Sequence, residues 1–184
     1  MASLFVALDL PAAMTSALAA LQPPDSRWVR CAKPGQMHVT LHYIGAGEIE
    51  RFSGALARVR APAFSLSVQG VGQFRSADGA ITLWAALREC EELRNLHADI
   101  GTALSKEGFR PEARVYTPHI TLARCDAALA GGEVEAFLCR YSTLSLPPVS
   151  IASFSLYASE HVGGIPIYRR ERTFPLVAVS PSSP

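Results

Sequence analysis

Two copies of one short motif contain the residues of this sequence that are best suited to catalysis. His38-Val39-Thr40-Leu41 returns as His119-Ile120-Thr121-Leu122, and each copy lies inside a run typical of a β-strand. Side chains two positions apart on a strand point to the same face, so each histidine projects together with the threonine of its own copy. If the two strands face each other, two imidazoles and two hydroxyls surround one small pocket.

This set of groups can catalyse displacement at phosphorus. Imidazole titrates near neutral pH, so one histidine can act as a base while the other acts as an acid. The hydroxyls of Thr40 and Thr121 can donate hydrogen bonds to non-bridging phosphate oxygens. The sequence therefore predicts His38 and His119 as catalytic residues and the two threonines as phosphate-binding residues. The pattern does not decide which histidine is the base, and the working assignment takes His119 as base and His38 as acid.

A metal site is the alternative interpretation of the same histidines. On strict alternation His42 shares a strand face with His38, and His119 could join them. No carboxylate or cysteine is placed to complete such a ligand set, and threonine is a poor zinc ligand. We therefore predict a site that uses neither a metal nor another cofactor.

Four further residues are candidate substrate contacts. His42 shares the predicted pocket face, and Arg124 could neutralise phosphate, although strict alternation puts it on the face opposite His119. Trp28 and Tyr168 could stack on a nucleobase, because single-stranded RNA ends are often bound by aromatic stacking. Structural explanations compete with these roles: His42 as a packed or exposed side chain, and Arg124 as a solvated strand end.

Alternating strands and helices must position these residues. Apolar runs and period-two alternation predict the strands, and apolar residues at helical spacing predict the helices. The predicted strands are 4–8, 37–44, 64–69, 81–87, 119–124, 149–157 and 165–175. The predicted helices are 14–21, 49–59, 93–104 and 134–138. Many of the strands are amphipathic, which favours an α+β fold with mainly antiparallel sheets and helices on their outer faces.

The composition is that of a folded protein. Of the 184 residues 49% are hydrophobic, and the net charge is +1, which excludes a disordered chain and a general field for nucleic acid. The four cysteines form no CxxC pair, so we expect small buried side chains rather than zinc ligands. No membrane span or signal peptide is recognisable, and we expect a cytoplasmic protein with one bilobed domain over 1–184 and a frayed tail at 180–184.

At these residues the chain resembles the two-histidine phosphoesterase superfamily, and within it the bacterial RNA 2′,3′-cyclic phosphodiesterases, also called the 2′-5′ RNA ligase family. The resemblance covers nearly the whole chain. Its marks are 4–7 with 9–11, 27–29, 38–41 with Gly45, Gly70, Gly72, Phe74, 83–84, 108–109, 118–124, and 156–157 with Ser159. The chain departs from similar proteins at His42, where they often carry lysine, and at 80–82, where they often carry Pro-Arg.

The resemblance implies two pseudo-symmetric lobes with an active-site cleft between them. It implies hydrolysis of RNA 2′,3′-cyclic phosphate ends to 2′-phosphomonoesters, with 2′-5′ RNA ligation as the reverse reaction. The expected partners are such RNA ends, tRNA fragments among them, or small cyclic nucleotides, and the expected state is a monomer away from membranes. Two other functions stay open: a phosphodiesterase for a small cyclic nucleotide or a 2′-5′ oligonucleotide, and a non-catalytic module that binds RNA ends.

Overall fold

Residues 3–111, 115–126, 131–162 and 165–178 are described by the computed structural model of the chain. The fold is α+β, as the sequence pattern predicted, with helices against a large antiparallel sheet. The tail expected to fray, 180–184, lies outside the described residues. Within the described ranges, no helix is long and apolar enough to cross a membrane.

The helices lie where apolar side chains recur every three or four residues. They are α1 (Ala12–Ala19), α2 (Ile49–Leu56), α3 (Glu91–Ser105) and α4 (Gly131–Arg140), with a short 3-10 turn at Pro34–Gln36. In α3 the buried residues include Leu93, Leu96 and Ile100, which form one apolar stripe. The chain turns away after this helix at Gly108, whose positive φ of 81° suits glycine because it has no Cβ.

The strands form one continuous sheet and a small separate one. They are β1 (Ser3–Asp9), β2 (Val29–Cys31), β3 (His38–Gly45), β4 (Phe64–Leu66), β5 (Val68–Arg75), β6 (Ile81–Leu87), β7 (His119–Cys125), β8 (Val149–Ile151), β9 (Ser153–Val162) and β10 (Ile165–Pro175). The large sheet has the order β10-β9-β1-β3-β7-β6-β5, with β2 also paired to β7, and β4 pairs with β8. The pairings between these strands are antiparallel.

The two halves of the large sheet meet at the two strands that carry the repeated motif. β3 pairs with β1 on its outer side, and β7 pairs with β6 in the same way. Between them, β3 and β7 share the antiparallel pair Val39–Ile120. Both residues are fully buried in the core with Leu96 and Ile100 of α3, so one hydrophobic core underlies both halves.

Three expectations about local structure were wrong. The predicted strand 149–157 is two strands, β8 in the small sheet and β9 in the large one. The predicted strand 64–69 is also two strands, because the chain leaves the small sheet after Leu66 and enters the large sheet at Val68. The apolar alternation continues unbroken through this change of partner, so periodicity could not reveal it. The cysteines are not all buried either: Cys125 is buried, whereas Cys139 is exposed on α4.

Candidate active site

The pairing of β3 with β7 brings both histidine motifs to one face of the sheet. The strands pair at Val39 and Ile120, which point into the core, so the residues on either side of this pair, His38, Thr40, His119 and Thr121, point to the opposite face. The two histidines are close enough for positive charge on His119 to act on His38. Their alternate neighbours, Val39, Leu41, Ile120 and Leu122, are all buried on the core side, as the alternation predicted.

Each histidine ring is oriented by the backbone carbonyl two residues before it. Nδ1 of His38 lies 2.7 Å from the Gln36 carbonyl oxygen, and Nδ1 of His119 lies 2.8 Å from that of Thr117. A carbonyl oxygen only accepts hydrogen bonds, so each Nδ1 carries a hydrogen and donates it. Proton exchange with a substrate therefore takes place at Nε2 of each ring.

The electrostatic environment favours one proton on the two imidazoles rather than two. Burial lowers the pKa of His38, and positive charge on His119 lowers it further, whereas the Gln36 carbonyl and Asp9 act in the opposite direction. A second proton on the pair is repelled by the positive charge of the first. The singly protonated pair is the form that acid–base catalysis needs, because it contains one base and one acid.

Aromatic side chains surround both histidines. The ring of His38 lies 5.0 Å from that of Phe5, 5.2 Å from that of Tyr168 and 6.4 Å from that of Tyr157. His119 lies 4.9 Å from Phe74 and 5.9 Å from Trp84. These walls limit the motion of the rings, and the partly exposed ones offer flat surfaces to a ligand.

A glycine makes room for the Trp84 indole beside His119. A Cβ added to Gly72 on β5 would clash with the indole ring of Trp84, because that ring crosses closely over the backbone of its cross-strand partner. Any side chain at this position would push the indole away, so Gly72 is required by close approach rather than by backbone conformation.

A β-bulge follows the threonine in each motif strand, and both bulges fall at the leucine. In β3, Thr40 pairs with Ala7 and His42 with Val6, which leaves Leu41 without a partner on β1. In β7, Thr121 pairs with Trp84 and Ala123 with Leu83, which leaves Leu122 without a partner on β6. An extra residue reverses the alternation beyond it, so two consecutive residues are buried in each strand.

These bulges overturn two expectations that rested on strict alternation. His42 does not share the face of His38: it is 7% exposed, its ring stacks on that of His97 at 4.2 Å, and its Nε2–H donates to the His97 carbonyl at 2.8 Å. A substrate contact through His42, or a metal held by His42 with the two motif histidines, is therefore wrong. Arg124, in contrast, is exposed on the same face as His119 and Thr121.

Within residues 3–111, 115–126, 131–162 and 165–178, no three His, Cys, Asp or Glu side chains are grouped so that they could hold a metal ion.

Trp28 and Arg124 line one open cleft. The cleft has a volume of about 700 Å³, and Arg27, Arg30 and Asp126 also border it. Trp28 is exposed, with the Arg27 guanidinium 4.6 Å from its ring centre. Arg30 is the cross-strand partner of Arg124, so both side chains lie on one face of the sheet. The cleft combines positive charge with an aromatic surface, which suits a nucleic-acid strand.

Tyr168 stands at the other side of His38. Burial raises the pKa of its phenol, and the positive charge of Arg124 partly opposes this rise. Arg124 is therefore close enough to Tyr168 to interact with it electrostatically. The structure thus brings Tyr168, Arg124 and Trp28 to the surface that contains both motifs, and His42 alone of the predicted contacts lies elsewhere.

Sequence reasoning missed a polar cluster beside His38. Asp9 is the cross-strand partner of His38 and accepts hydrogen bonds from Ser155, Tyr157 and Arg170. In the sequence, Asp9 followed two residues later by Pro11 is typical of a helix start, which gives no sign of this cluster. One signal could have revealed Arg170, because it is two residues after Tyr168 and so lies on the same strand face.

The chain is similar in sequence and in fold to known proteins. The model of the 2′-5′ RNA ligase superfamily matches residues 10–161. An RNA 2′,3′-cyclic phosphodiesterase of Aeropyrum pernix is 30% identical over 72% of this chain and 77% of its own length, and one of Thermotoga maritima is 28% identical over 72% of each. The crystal structure of E. coli LigT complexed with 3′-AMP has a TM-score of 0.72 at 24% identity, covering 95% of this chain and 98% of LigT, which shows a shared fold.

Proposed function

Because this chain belongs to the 2′-5′ RNA ligase superfamily, we propose that it hydrolyses RNA 2′,3′-cyclic phosphate ends to 2′-phosphomonoesters by acid–base catalysis with two histidines and no metal. The observation that carries the proposal is the common face of His38, Thr40, His119 and Thr121, with both Nδ1 atoms held by backbone carbonyls. The relatives named RNA 2′,3′-cyclic phosphodiesterase support the substrate.

In the proposed reaction the cyclic phosphate lies between the two motifs. Nε2 of His119 takes a proton from water as the water oxygen attacks phosphorus, the bond from phosphorus to O3′ breaks, and Nε2–H of His38 protonates O3′. Thr40 and Thr121 donate hydrogen bonds to the non-bridging oxygens, where negative charge grows in the transition state. When the 5′-hydroxyl of a second RNA end replaces water, the same base takes its proton, the bond from O5′ to phosphorus forms as the bond to O3′ breaks, and the same acid protonates O3′. The product is a 2′-5′ phosphodiester, which accounts for ligation as the reverse of 2′-5′ cleavage.

We propose that the RNA chain leading to the cyclic end follows the cleft of Trp28 and Arg124. The guanidinium of Arg124 neutralises a phosphate, and the exposed indole of Trp28 offers a stacking surface. Tyr168 contacts the terminal nucleotide beside His38. Recognition at an end fits the small net charge of +1, which provides no long-range field for a duplex.

The proposal includes a single bilobed domain, supported by the hydrophobic core beneath both halves of the sheet. It also includes a monomer and action in the cytoplasm, with tRNA fragments and small cyclic nucleotides as candidate substrates.

The test is to incubate the purified chain with an oligonucleotide ending in a 2′,3′-cyclic phosphate, in the presence of EDTA, and to follow the phosphorus by 31P NMR. We expect the cyclic signal to be replaced by that of a 2′-phosphomonoester. No turnover, a 3′-phosphate product or a requirement for added divalent metal would overturn the proposal. Parallel reactions with 2′,3′-cyclic AMP and ADP-ribose cyclic phosphate compare the small-nucleotide substrates with the RNA end.

A further inference from the structure

The first cleft, which contains Trp28 and Arg124, has a counterpart at the opposite end of the motif strands. This second cleft has a volume of about 430 Å³ and is lined by 43–44, 46–47, 51–52 and 107–110. Because β3 and β7 are antiparallel, their ends beyond the two motifs point in opposite directions. One cleft therefore lies at the end of each motif strand, with the four motif side chains between them.

The two clefts correspond to each other in sequence. The shift of 81 residues between the two histidine motifs (119 − 38 = 81) also carries 26–29 of the first cleft onto 107–110 of the second. The same shift carries 43–44 of the second cleft onto 124–125 of the first. The clefts are therefore two copies of one surface, just as the motifs are two copies of one motif.

Equivalent positions in the two clefts hold an aromatic ring and a side chain on the pocket face. Trp28 and Phe109 each come ten residues before the histidine of their motif, and Arg124 and Tyr43 each come five residues after it. The bulge in β3 reverses the alternation, so Tyr43 lies on the same face as Thr40. Phe109 is partly buried against the core, whereas Tyr43 is 52% exposed and offers its ring to a ligand.

The second cleft also carries positive charge. Its guanidinium groups are those of Arg110, which is exposed, and Arg51, which lies 5.8 Å from the ring centre of Phe52. The carboxylate among its described lining residues is that of Glu107, which lies 3.5 Å from Nε of Arg51 and 3.9 Å from Nη1 of Arg58. These pairs neutralise Glu107 and leave a cationic surface beside an exposed ring. Single-stranded nucleic acid binds surfaces of this kind.

The chemistry at phosphorus supplies an occupant for this second surface. In the proposed function, the strand that ends in the cyclic phosphate follows the first cleft. Water that attacks phosphorus needs no cleft of its own. When a 5′-hydroxyl attacks instead, it approaches roughly in line with the departing O3′ and brings further nucleotides that need a surface outside the first cleft.

We propose that the second cleft binds the RNA strand whose 5′-hydroxyl attacks the cyclic phosphate, with Tyr43 stacking on a nucleobase and Arg110 neutralising a phosphate. In that reaction the bond from O5′ to phosphorus forms and the bond from phosphorus to O3′ breaks. One motif histidine takes the proton of the 5′-hydroxyl, and the other gives a proton to O3′. The proposal rests on the proposed function and gives each of the two copied clefts its own RNA end.

The first test needs no turnover. An oligoribonucleotide with a 5′-hydroxyl and 4-thiouridine as its first nucleotide is photocrosslinked to the full chain, and mass spectrometry identifies the crosslinked peptides. An excess of unlabelled oligonucleotide ending in a 2′-phosphate keeps the first cleft occupied. We expect crosslinks within 43–47 and 107–110. Crosslinks confined to 25–30 and 124–126, or none at all, would overturn the proposal.

The second test compares ligation with hydrolysis in the same variants. We expect Tyr43→Ala and Arg110→Ala to raise the KM of the 5′-hydroxyl strand in ligation about tenfold, as loss of one stacked base or one charge contact implies. The KM of the cyclic-phosphate strand in hydrolysis should rise much less. Arg124→Ala should raise the KM of the cyclic-phosphate strand in both reactions. Arg94→Ala on α3, where Arg94 pairs with Glu89, is the control and should change neither reaction.

Equal increases of both KM values in Tyr43→Ala and Arg110→Ala would contradict the proposal. A wild type that hydrolyses the cyclic end, but neither joins a 5′-hydroxyl strand nor cleaves a 2′-5′ linkage, would also contradict it and would leave the proposed hydrolysis standing. If the wild type opened no cyclic phosphate, the proposed function would fail, while the crosslinks would still decide what the second cleft binds.

Discussion

The hydroxyl of Tyr116 donates a hydrogen bond of 3.1 Å to the carbonyl oxygen of Thr40. This bond links the segment that precedes the second motif to the backbone of the first motif. Its ring stacks on that of His97 at 3.8 Å, on top of the buried His42. Tyr116 immediately precedes Thr117, whose carbonyl orients His119. One side chain therefore anchors both the backbone of one threonine and the segment that sets the opposite histidine.

Removal of this hydroxyl should reduce turnover more than substrate affinity. Tyr116→Phe keeps the stacked ring and loses one hydrogen bond, which contributes about 1 kcal/mol to stability. We expect kcat to fall about fivefold, because His119 is less well oriented, with KM little changed. Steady-state kinetics and urea denaturation measure the two effects. Tyr141→Phe, in the turn directly after α4, is the control, and an equal loss of kcat in that variant would contradict the link.

The close approach of Trp84 to Gly72 predicts a strong effect of one methyl group. Gly72→Ala must displace the indole that lies against His119, at a cost of about 1–3 kcal/mol in the free energy of unfolding and with reduced activity. Gly54→Ala is the matched control, because a Cβ there meets nothing within 4 Å and alanine favours the helix α2. We expect the unfolding temperature and kcat to fall in Gly72→Ala and not in Gly54→Ala. Equal values in the two variants would argue against the packing of Trp84 on Gly72.

The buried histidine stack predicts acid sensitivity of the fold. Burial, and then the neighbouring His42, lower the pKa of His97 to about 4, below the value near 6.5 of an unfolded chain. The unfolded state then binds more protons between these values, so the free energy of unfolding is fully maintained above about pH 6.5 and decreases as pH falls towards 4. Urea denaturation at pH 7 and pH 5 measures this loss.

His97→Phe should show a smaller loss between the same two pH values, because phenylalanine can stack on Tyr116 and His42 but does not titrate. An acid-induced loss as large as that of the wild type would show that other groups are responsible.

The cleft lined by Trp28 and Arg124 predicts a contact that depends on salt. Arg124→Ala should raise KM for a cyclic-phosphate oligonucleotide and reduce the slope of log affinity against log salt by about 1, because one phosphate contact is lost. For 2′,3′-cyclic AMP, which has no preceding nucleotide, the change should be smaller. Arg94→Ala on α3, where Arg94 pairs with Glu89, is the control. Equal effects on both substrates would place Arg124 outside the path of the RNA chain.

Alternation along the motif strands could be predicted from sequence, and the bulges could not. Two apolar residues alternating with His and Thr are enough to put the four polar side chains on one face. Leu41 and Leu122 are apolar residues in apolar strands, and nothing in their type marks them as bulged. For this reason the predicted faces of His42 and Arg124 were reversed, and each error has the same physical origin.

Contacts between distant segments explain the remaining omissions. Asp9 becomes a neighbour of Tyr157 and Arg170 only when β1, β9 and β10 assemble, and local sequence suggested a helix start instead. The helical position of His97 on α3 gives no sign that its ring lies between those of His42 and Tyr116. Local patterns report which face a residue occupies, whereas the partner it meets depends on the topology of the sheet.

In the proposed reaction His38 and His119 act on one phosphorus in a single event. This is tested by measuring kcat for a cyclic-phosphate RNA end in His38→Ala, His119→Ala and the double variant. We expect each single variant to lose about 10²-fold or more and the double variant to lose little beyond that, because residues acting as a unit are not additive. Multiplied losses in the double variant, or activity that survives removal of both histidines, would contradict it.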